Sequence, residues 1–327
     1  MGEMLKKIQL QKLLALGSLI ILYLFFAWAG RNFVTVPTTL NILAQSYFVG
    51  FLAIGVTFVI ITGGIDLSIG TVMICSALVG GQLFRQHGVP LWLCLIAMIL
   101  VGAVFGLFNG VLVTKLGFPP FVATLGTMMI AMGLGSIITN VQSRSFPTIL
   151  EPDAWFSRLF LRSEGNFPMG AVFLGVYLIL TYIVLNKTKL GRYVYAIGSN
   201  EEAVRLSGVN ASGWKLMAYI ISGLSAGIAS IFFAAAYTVI IPGGGQGFEL
   251  SAIAAVVIGG TSLSGGVGSV VGTIIGVFIM STLSNGLVSM GLPAPYQVFF
   301  TGVVLLGAVY LDIQRIKMSN QVRKPSG

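Results

Sequence analysis

Charge is what this sequence has least of. Only 8% of its 327 residues are Asp, Glu, Lys or Arg, against about 25% in an ordinary soluble domain, so a water-facing globular fold is excluded. Histidine occurs once, as His87, and cysteine twice, as Cys75 and Cys94, both inside apolar runs. With no CxxC spacing and no clustered ligand set, neither a disulfide framework nor a metal site is implied. No GxxxxGK[ST] occurs, nor any Gly-Lys pair, so the chain has no P-loop with which to hold ATP. The runs Gly243-Gly244-Gly245 and Gly266-Val267-Gly268 do not follow a strand in a βαβ unit and are read as membrane turns rather than dinucleotide loops. A phosphorylating sugar carrier needs a His or Cys reachable from the cytoplasm, and no nucleophile–base pair for hydrolysis can be assembled. The chain reads as a non-enzyme.

What is present is apolar sequence, 56% of the chain. A bilayer core of about 30 Å takes roughly 20 apolar residues per helix. Such runs occur at Leu13–Gly30, Asn41–Thr62, Leu67–Phe84, Leu91–Val113, Phe121–Val141, Phe167–Leu185, Leu216–Ile241, Val267–Met290 and Tyr296–Leu311. Their length predicts helices rather than barrel strands. One further segment, within 250–263, is too short for an ordinary crossing and reads as a broken or partly buried helix.

Cytoplasmic loops collect Lys and Arg, and this bias orients the chain. If the short segment also crosses, both termini are cytoplasmic. Arg31, Arg85, Arg144, Arg158 and Arg162 then lie outside, and the rest of the 18 Lys and Arg lie inside. If it does not cross, the basic tail from Arg315 to Lys324 moves outside, against the bias. The expected architecture is therefore an all-α polytopic membrane domain over 1–327, with about ten transmembrane helices, in the cell's inner membrane. The basic, apolar N-terminal stretch reads as an uncleaved first helix rather than a signal peptide. The +9 charge is this inside bias and not a nucleic-acid footprint.

Two hydrophilic stretches interrupt the pattern. Residues 142–166 are expected outside, as a plain connecting loop or a docking surface for an external protein. Residues 186–215 are expected in the cytoplasm. There Ser199 with Glu202 fits a capping box, Glu201 and Glu202 suit a helix N-terminus, and Gly208 is a natural stop. The resulting two-turn helix is marginal alone, so Ala203, Val204 and Leu206 need another surface, either their own protein and lipid or a cytoplasmic partner.

Glycines recur at i, i+4 spacing at Gly102, Gly106 and Gly110, at Gly223 and Gly227, and at Gly272 and Gly276. They are read as faces for close helix packing. Two segments, Ile61-Thr-Gly-Gly-Ile-Asp-Leu-Ser-Ile-Gly70 and Val257-Ile-Gly-Gly-Thr-Ser-Leu-Ser-Gly-Gly266, share Gly, Gly, Leu, Ser and Gly at equal spacing. This suggests a duplication, and transporters place sites at repeat interfaces. Asp66 in the first copy is costly at bilayer depth. It is read as the N-cap of a helix starting at Leu67, or as a polyol-binding or helix-terminus partner on the translocation pathway. Glu249, a first-turn acid, and the mid-span Asn109 are the other pathway candidates.

The stretches Gly63–Gly70, Leu190–Gly208 and Glu249–Gly266 resemble the ribose, xylose and arabinose permease family of bacterial ABC importers, over nearly the whole chain. The resemblance implies a permease dimer, homomeric or heteromeric, working with a cytoplasmic ABC ATPase and an external sugar-binding protein. ATP and Mg would sit on the ATPase, with no cofactor on this chain. It assigns Ser199, Asn200, Glu201, Glu202, Ala203, Arg205, Leu206 and Gly208 to ATPase coupling, and the substrate to a monosaccharide such as ribose, with the furanone autoinducer and nucleosides left open. Ser251 departs from the acid that related permeases carry there. A proton-coupled transporter using Asp66 or Glu249 is the alternative reading.

Overall fold

The computed structural model describes residues 2–148, 150–161 and 167–322. Arg162 and Glu164 of the expected external loop, and the tail residues Arg323 and Lys324, lie outside the described residues. In chain order the elements are α1 (Gly2–Ala29), α2 (Val36–Ile61), α3 (Ile69–His87), α4 (Leu91–Thr114), α5 (Pro120–Ile138), β1 (Arg144–Ser145), α6 (Trp155–Phe160), α7 (Met169–Lys187), α8 (Lys189–Leu206), α9 (Ala211–Tyr237), β2 (Val239–Ile240), α10 (Phe248–Ile258), α11 (Val270–Ser289) and α12 (Ala294–Val322).

Every expected span is a helix, and seven of these helices are both long and apolar enough to cross a membrane: α2, α4, α5, α7, α9, α11 and the Ala294–Gln314 part of α12. Several boundaries differ from the sequence reading: α1, α2 and α9 begin earlier than expected, and α12 runs on to Val322. The third helix begins at Ile69 rather than Leu67, and the fifth stops at Ile138, where Asn140 and Val141 take positive φ. The ninth stops at Tyr237, because Val239 and Ile240 leave the helix to pair with Ser145 and Arg144.

Helix α2 is apolar all round, and every residue from Ser46 to Ile61 is buried, as a helix without a polar face requires. Helices α5, α7 and α12 sit at the periphery and expose apolar side chains such as Ile137, Ile179 and Leu306.

The glycine faces pack as the spacing predicts. A Cβ at Gly106 would lie 3.0 Å from the Gly223 Cα, and one at Gly227 would lie 2.8 Å from the Ile99 Cα. The α4–α9 seam is therefore backbone against backbone. Gly223→Leu is expected to destabilise the protein by about 3 kcal/mol through overpacking. Gly126→Leu is the control, since nothing lies within 4 Å of its Cβ position. Monodispersity in detergent after a heating series should collapse at a lower temperature for the first variant only.

Hydrogen bonds fix which ends share a face. The Gly266 N–H donates to the Ile61 carbonyl at 2.8 Å, and the Tyr195 hydroxyl donates to the Gly268 carbonyl at 2.8 Å. The end of α2, the α8 helix and the α10–α11 loop therefore meet on one face. Helix α11 leads to the opposite face, where the Arg31 N–H donates to the Ser289 carbonyl at 2.8 Å. Helix α12 returns from there to place Asp312 on Ser262 and Leu263. So α1 starts, and α12 ends, on the face of α8. The opposite face carries the β1–β2 ribbon, which Arg85 ties to the end of α3 through the Ser145 carbonyl and Glu151.

The short segment is a half-helix. Helix α10 has 11 residues, about 16 Å at 1.5 Å per residue. The chain leading into it from the β1–β2 ribbon is non-helical. Arg144, paired with Ile240, packs on Gly81, whereas Gly245 packs on Gly70 and Ile74. Helix α3 advances about 16 Å between Gly70 and Gly81, so residues 241–247 carry the chain roughly halfway through the bundle before α10 begins. Glycine is required here, since Gly243, Gly245 and Gly247 all have positive φ.

Candidate functional site

Both interrupted segments start their helices inside the bundle, and the first turn of α3 lies against the first turn of α10. A Cβ at Gly70 would meet Glu249 Oε2 at 2.5 Å and the Glu249 amide nitrogen at 3.2 Å. The acids singled out in the sequence lie at these two helix starts, where the exposed N–H groups favour negative charge.

Asp66 does not cap α3, because the helix starts later and Ser68 occupies the cap position. Asp66 Oδ1 accepts the Ser68 N–H at 3.0 Å and the Ser68 hydroxyl at 2.7 Å, an Asx turn that bends the chain into the helix. Asp66 Oδ2 accepts the Ser222 hydroxyl of α9 at 2.8 Å. Asn109 Nδ2 of α4 donates to the Ser68 hydroxyl oxygen at 2.8 Å and to Asp66 Oδ1 at 3.4 Å. One carboxylate thus joins three segments. Asp66 and Asn109 are each 1% exposed, and the cluster encloses no water-sized void. It is closed to solute in this conformation.

Glu249 is a first-turn acid, as the sequence reading has it. Its Oε1 accepts the Gly247 N–H at 2.9 Å, while Oε2 is buried without a hydrogen-bond partner among the described residues.

The second copy of the repeat reproduces the turn with different atoms. Ser262 stands where Asp66 stands in the first copy, and its hydroxyl oxygen accepts the Ser264 N–H at 3.3 Å, matching the bond from the Ser68 N–H to Asp66. The carboxylate missing from this copy comes from α12: Asp312 Oδ2 accepts from the Ser262 hydroxyl at 3.0 Å and the Leu263 N–H at 3.1 Å.

On the same face, α8 consists of two helices joined at Asn200, whose φ of −163° and ψ of 97° break the helix. Here too the cap differs from the sequence reading. Asn200 Oδ1 accepts the Ala203 N–H at 2.9 Å, whereas the Ser199 hydroxyl donates back to the Tyr195 carbonyl at 3.0 Å. Ser199 and Glu202 therefore form no capping box. Gly208, with φ of 80°, ends the second helix as expected. Glu201 is held by Lys215 at 2.6 Å. Glu202, Ala203, Arg205 and Leu206 project outward, with Leu206 80% exposed.

The first helix of α8 is seated on both copies of the repeat. A Cβ at Gly198 would overlap the Ile61 carbonyl oxygen and the Gly266 amide nitrogen, and Ser199 lies over Gly266. Ser68 entered the sequence reading only as the Ser shared by the two repeat copies, and Ser222, Gly198 and Asp312 were given no site role. Of these three, Asp312 carried a signal, an acid just beyond the last apolar window.

Residues 38–309 match the family described as branched-chain amino acid transport system, permease component. The ribose import permease protein RbsC of Bacillus subtilis is 39% identical over 304 residues, covering 93% of each chain. Its namesake in Escherichia coli K12 is 36% identical over 300 residues, 91% of this chain and 92% of that one. The fructose import permease protein FrcC of Rhizobium meliloti is 35% identical over 286 residues, 86% of this chain and 79% of that one. No solved structure matches. A multi-pass helical bundle with interrupted, paired segments, matched over most of its length, thus belongs to the family of permease components of inner-membrane transport systems.

Proposed function

We propose that this chain is the transmembrane permease subunit of an ATP-binding cassette importer that admits a monosaccharide, ribose or a related simple sugar, to the cytoplasm. The observation that carries this reading is the near end-to-end match to two ribose import permeases. The chain contributes no catalysis. ATP and Mg belong to a cytoplasmic ATPase, a second permease completes the channel, and an external sugar-binding protein docks on the loop 142–166. By the distribution of Lys and Arg, the face of α8 is cytoplasmic.

The proposed mechanism starts at the segment Asn200–Gly208. Leu206 offers an exposed apolar anchor and the Glu202–Arg205 pair offers exposed charge, the combination a docking partner needs. ATP-driven closure of the ATPases displaces this segment. The displacement passes through the Gly198 seat into the loops at Ile61 and Gly266, and so to the starts of α3 and α11. Asp66 and Asn109 hold the α3 start against α4 and α9, and Glu249 holds the α10 start against α3. These acids set which way the interrupted helices move. A weakly binding route suits release, because uniform tight binding would slow exit of the sugar.

The test is reconstitution of the permease with its ATPase and binding protein in vesicles. Ribose uptake is expected to require ATP and to survive collapse of the proton gradient. Uptake that persists with an inactive ATPase and disappears with the gradient would establish the proton-coupled alternative instead.

A further inference from the structure

We infer that the segment Ile241–Gly247 is the sugar-facing wall of the translocation route, a reading that rests on the importer assignment above. This stretch is non-helical and lies at membrane depth, between the β1–β2 ribbon and the α10 start. Gly243 and Gln246 are exposed, and Gly244 and Gly247 are partly so. Among the described residues no hydrogen bond reaches the N–H groups of Gly243 and Gln246, or the carbonyls of Gly243, Gly244 and Gln246.

Lipid cannot satisfy such groups, so exposed irregular backbone at this depth persists only where it lines water or is covered by protein. The side chain beside it favours water. Gln246 is exposed and polar, and its amide nitrogen has only the Met132 sulfur, at 3.6 Å, as a partner. No Asp, Glu, Lys or Arg lies between Thr238 and Phe248, and the nearby Glu249 is turned inward onto Gly247 and Gly70. Beyond the exposed apolar side chain of Ile241 at its start, the wall offers uncharged N–H donors, carbonyl acceptors and one carboxamide. That set complements a neutral, hydroxyl-rich solute and gives an ion no counter-charge. The buried Asp66–Asn109 cluster is closed to solute, whereas this surface is open to it.

The full assembly with permease, ATPase and binding protein provides the test. Cys75 and Cys94 are buried, so Q246C is the reactive thiol in an otherwise native chain. Q246C should react with a charged, water-soluble methanethiosulfonate applied to both sides of the membrane. Q246L should lower ribose uptake at least tenfold, and Q246N should restore more than half of it, at equal amounts of assembled complex. A Q246C thiol reached by no reagent, or only by a lipid-partitioning maleimide, places the segment against protein or lipid and overturns the inference, as does wild-type uptake by Q246L. Failure of the importer reading looks different: the wild-type assembly itself would carry no ribose, whatever the thiol labelling shows.

Discussion

Asp66→Ala is expected to abolish uptake by unfolding the membrane core, whereas Asp66→Asn is expected to keep most of it. The alanine leaves the Ser68 N–H and hydroxyl and the Ser222 hydroxyl without their shared carboxylate, while the Asn109 amide keeps only its bond to the Ser68 hydroxyl oxygen. Unsatisfied buried groups cost about 1–3 kcal/mol each, so even partial relaxation leaves a loss on the order of 3 kcal/mol or more. Asparagine keeps an oxygen for Ser68 and Asn109. Its NH2 group then faces the Ser222 hydroxyl, which can turn to accept as readily as it donates. Thermal dispersion in detergent should show the alanine variant losing its folded state many degrees early and the asparagine variant shifting little. The comparison also separates the two transport mechanisms. A proton carrier cannot be an amide, so uphill uptake by Asp66→Asn removes Asp66 from that role.

The second large effect is expected at Gly198. Gly198→Leu should leave the exposed segment Glu202–Leu206 able to bind the ATPase, yet reduce uptake to a few per cent. The added side chain falls where the Ile61 carbonyl and the Gly266 amide are bonded to each other. It must either separate those loops or lift α8 from them. In both cases the ATPase would pull on a helix no longer seated on the parts it is meant to move. Copurification of the ATPase at wild-type levels with lost uptake is the predicted pair of results. Lost copurification would show that Gly198 shapes the docking segment itself. Normal uptake would show that the drive reaches the core by another path.

Much of this architecture was legible because membrane helices are written in long local runs. The nine apolar helices, seven of them long and apolar enough to cross a membrane, the half-helix near 250–263 and the glycine seam all follow from composition over windows of ten or more residues. The cap positions did not follow, because adjacent residues compete for them. Ser199 and Asn200 are both good N-caps, and tertiary seating decides, since Ser199 packs over Gly266 and turns its hydroxyl back to Tyr195. Asp66 has the same ambiguity: an Asp two residues before a Ser serves equally as cap or as Asx turn. Its links to Asn109 and Ser222 span 43 and 156 residues of chain, a pairing no local window can see. Asp312 completes the second repeat from 50 residues away. The duplication in the sequence therefore looked less complete than the duplication in the hydrogen bonds.

The seam between α4 and α9 bears on how such a bundle can move at all. Helices normally lock by fitting ridges of side chains into grooves, and sliding one past the other means climbing out of each groove in turn. Where Gly102 and Gly106 lie on Gly223, and Gly227 on the backbone at Ile99, there are no teeth to climb. Along that stretch the two rods oppose no side-chain ridges, and the first side chains that resist a shear are Leu216 and Tyr219 against Gly110. Asp66, bonded across that smooth joint to both rods, is then a pin through a bearing, and its strength sets how far the joint glides before it catches.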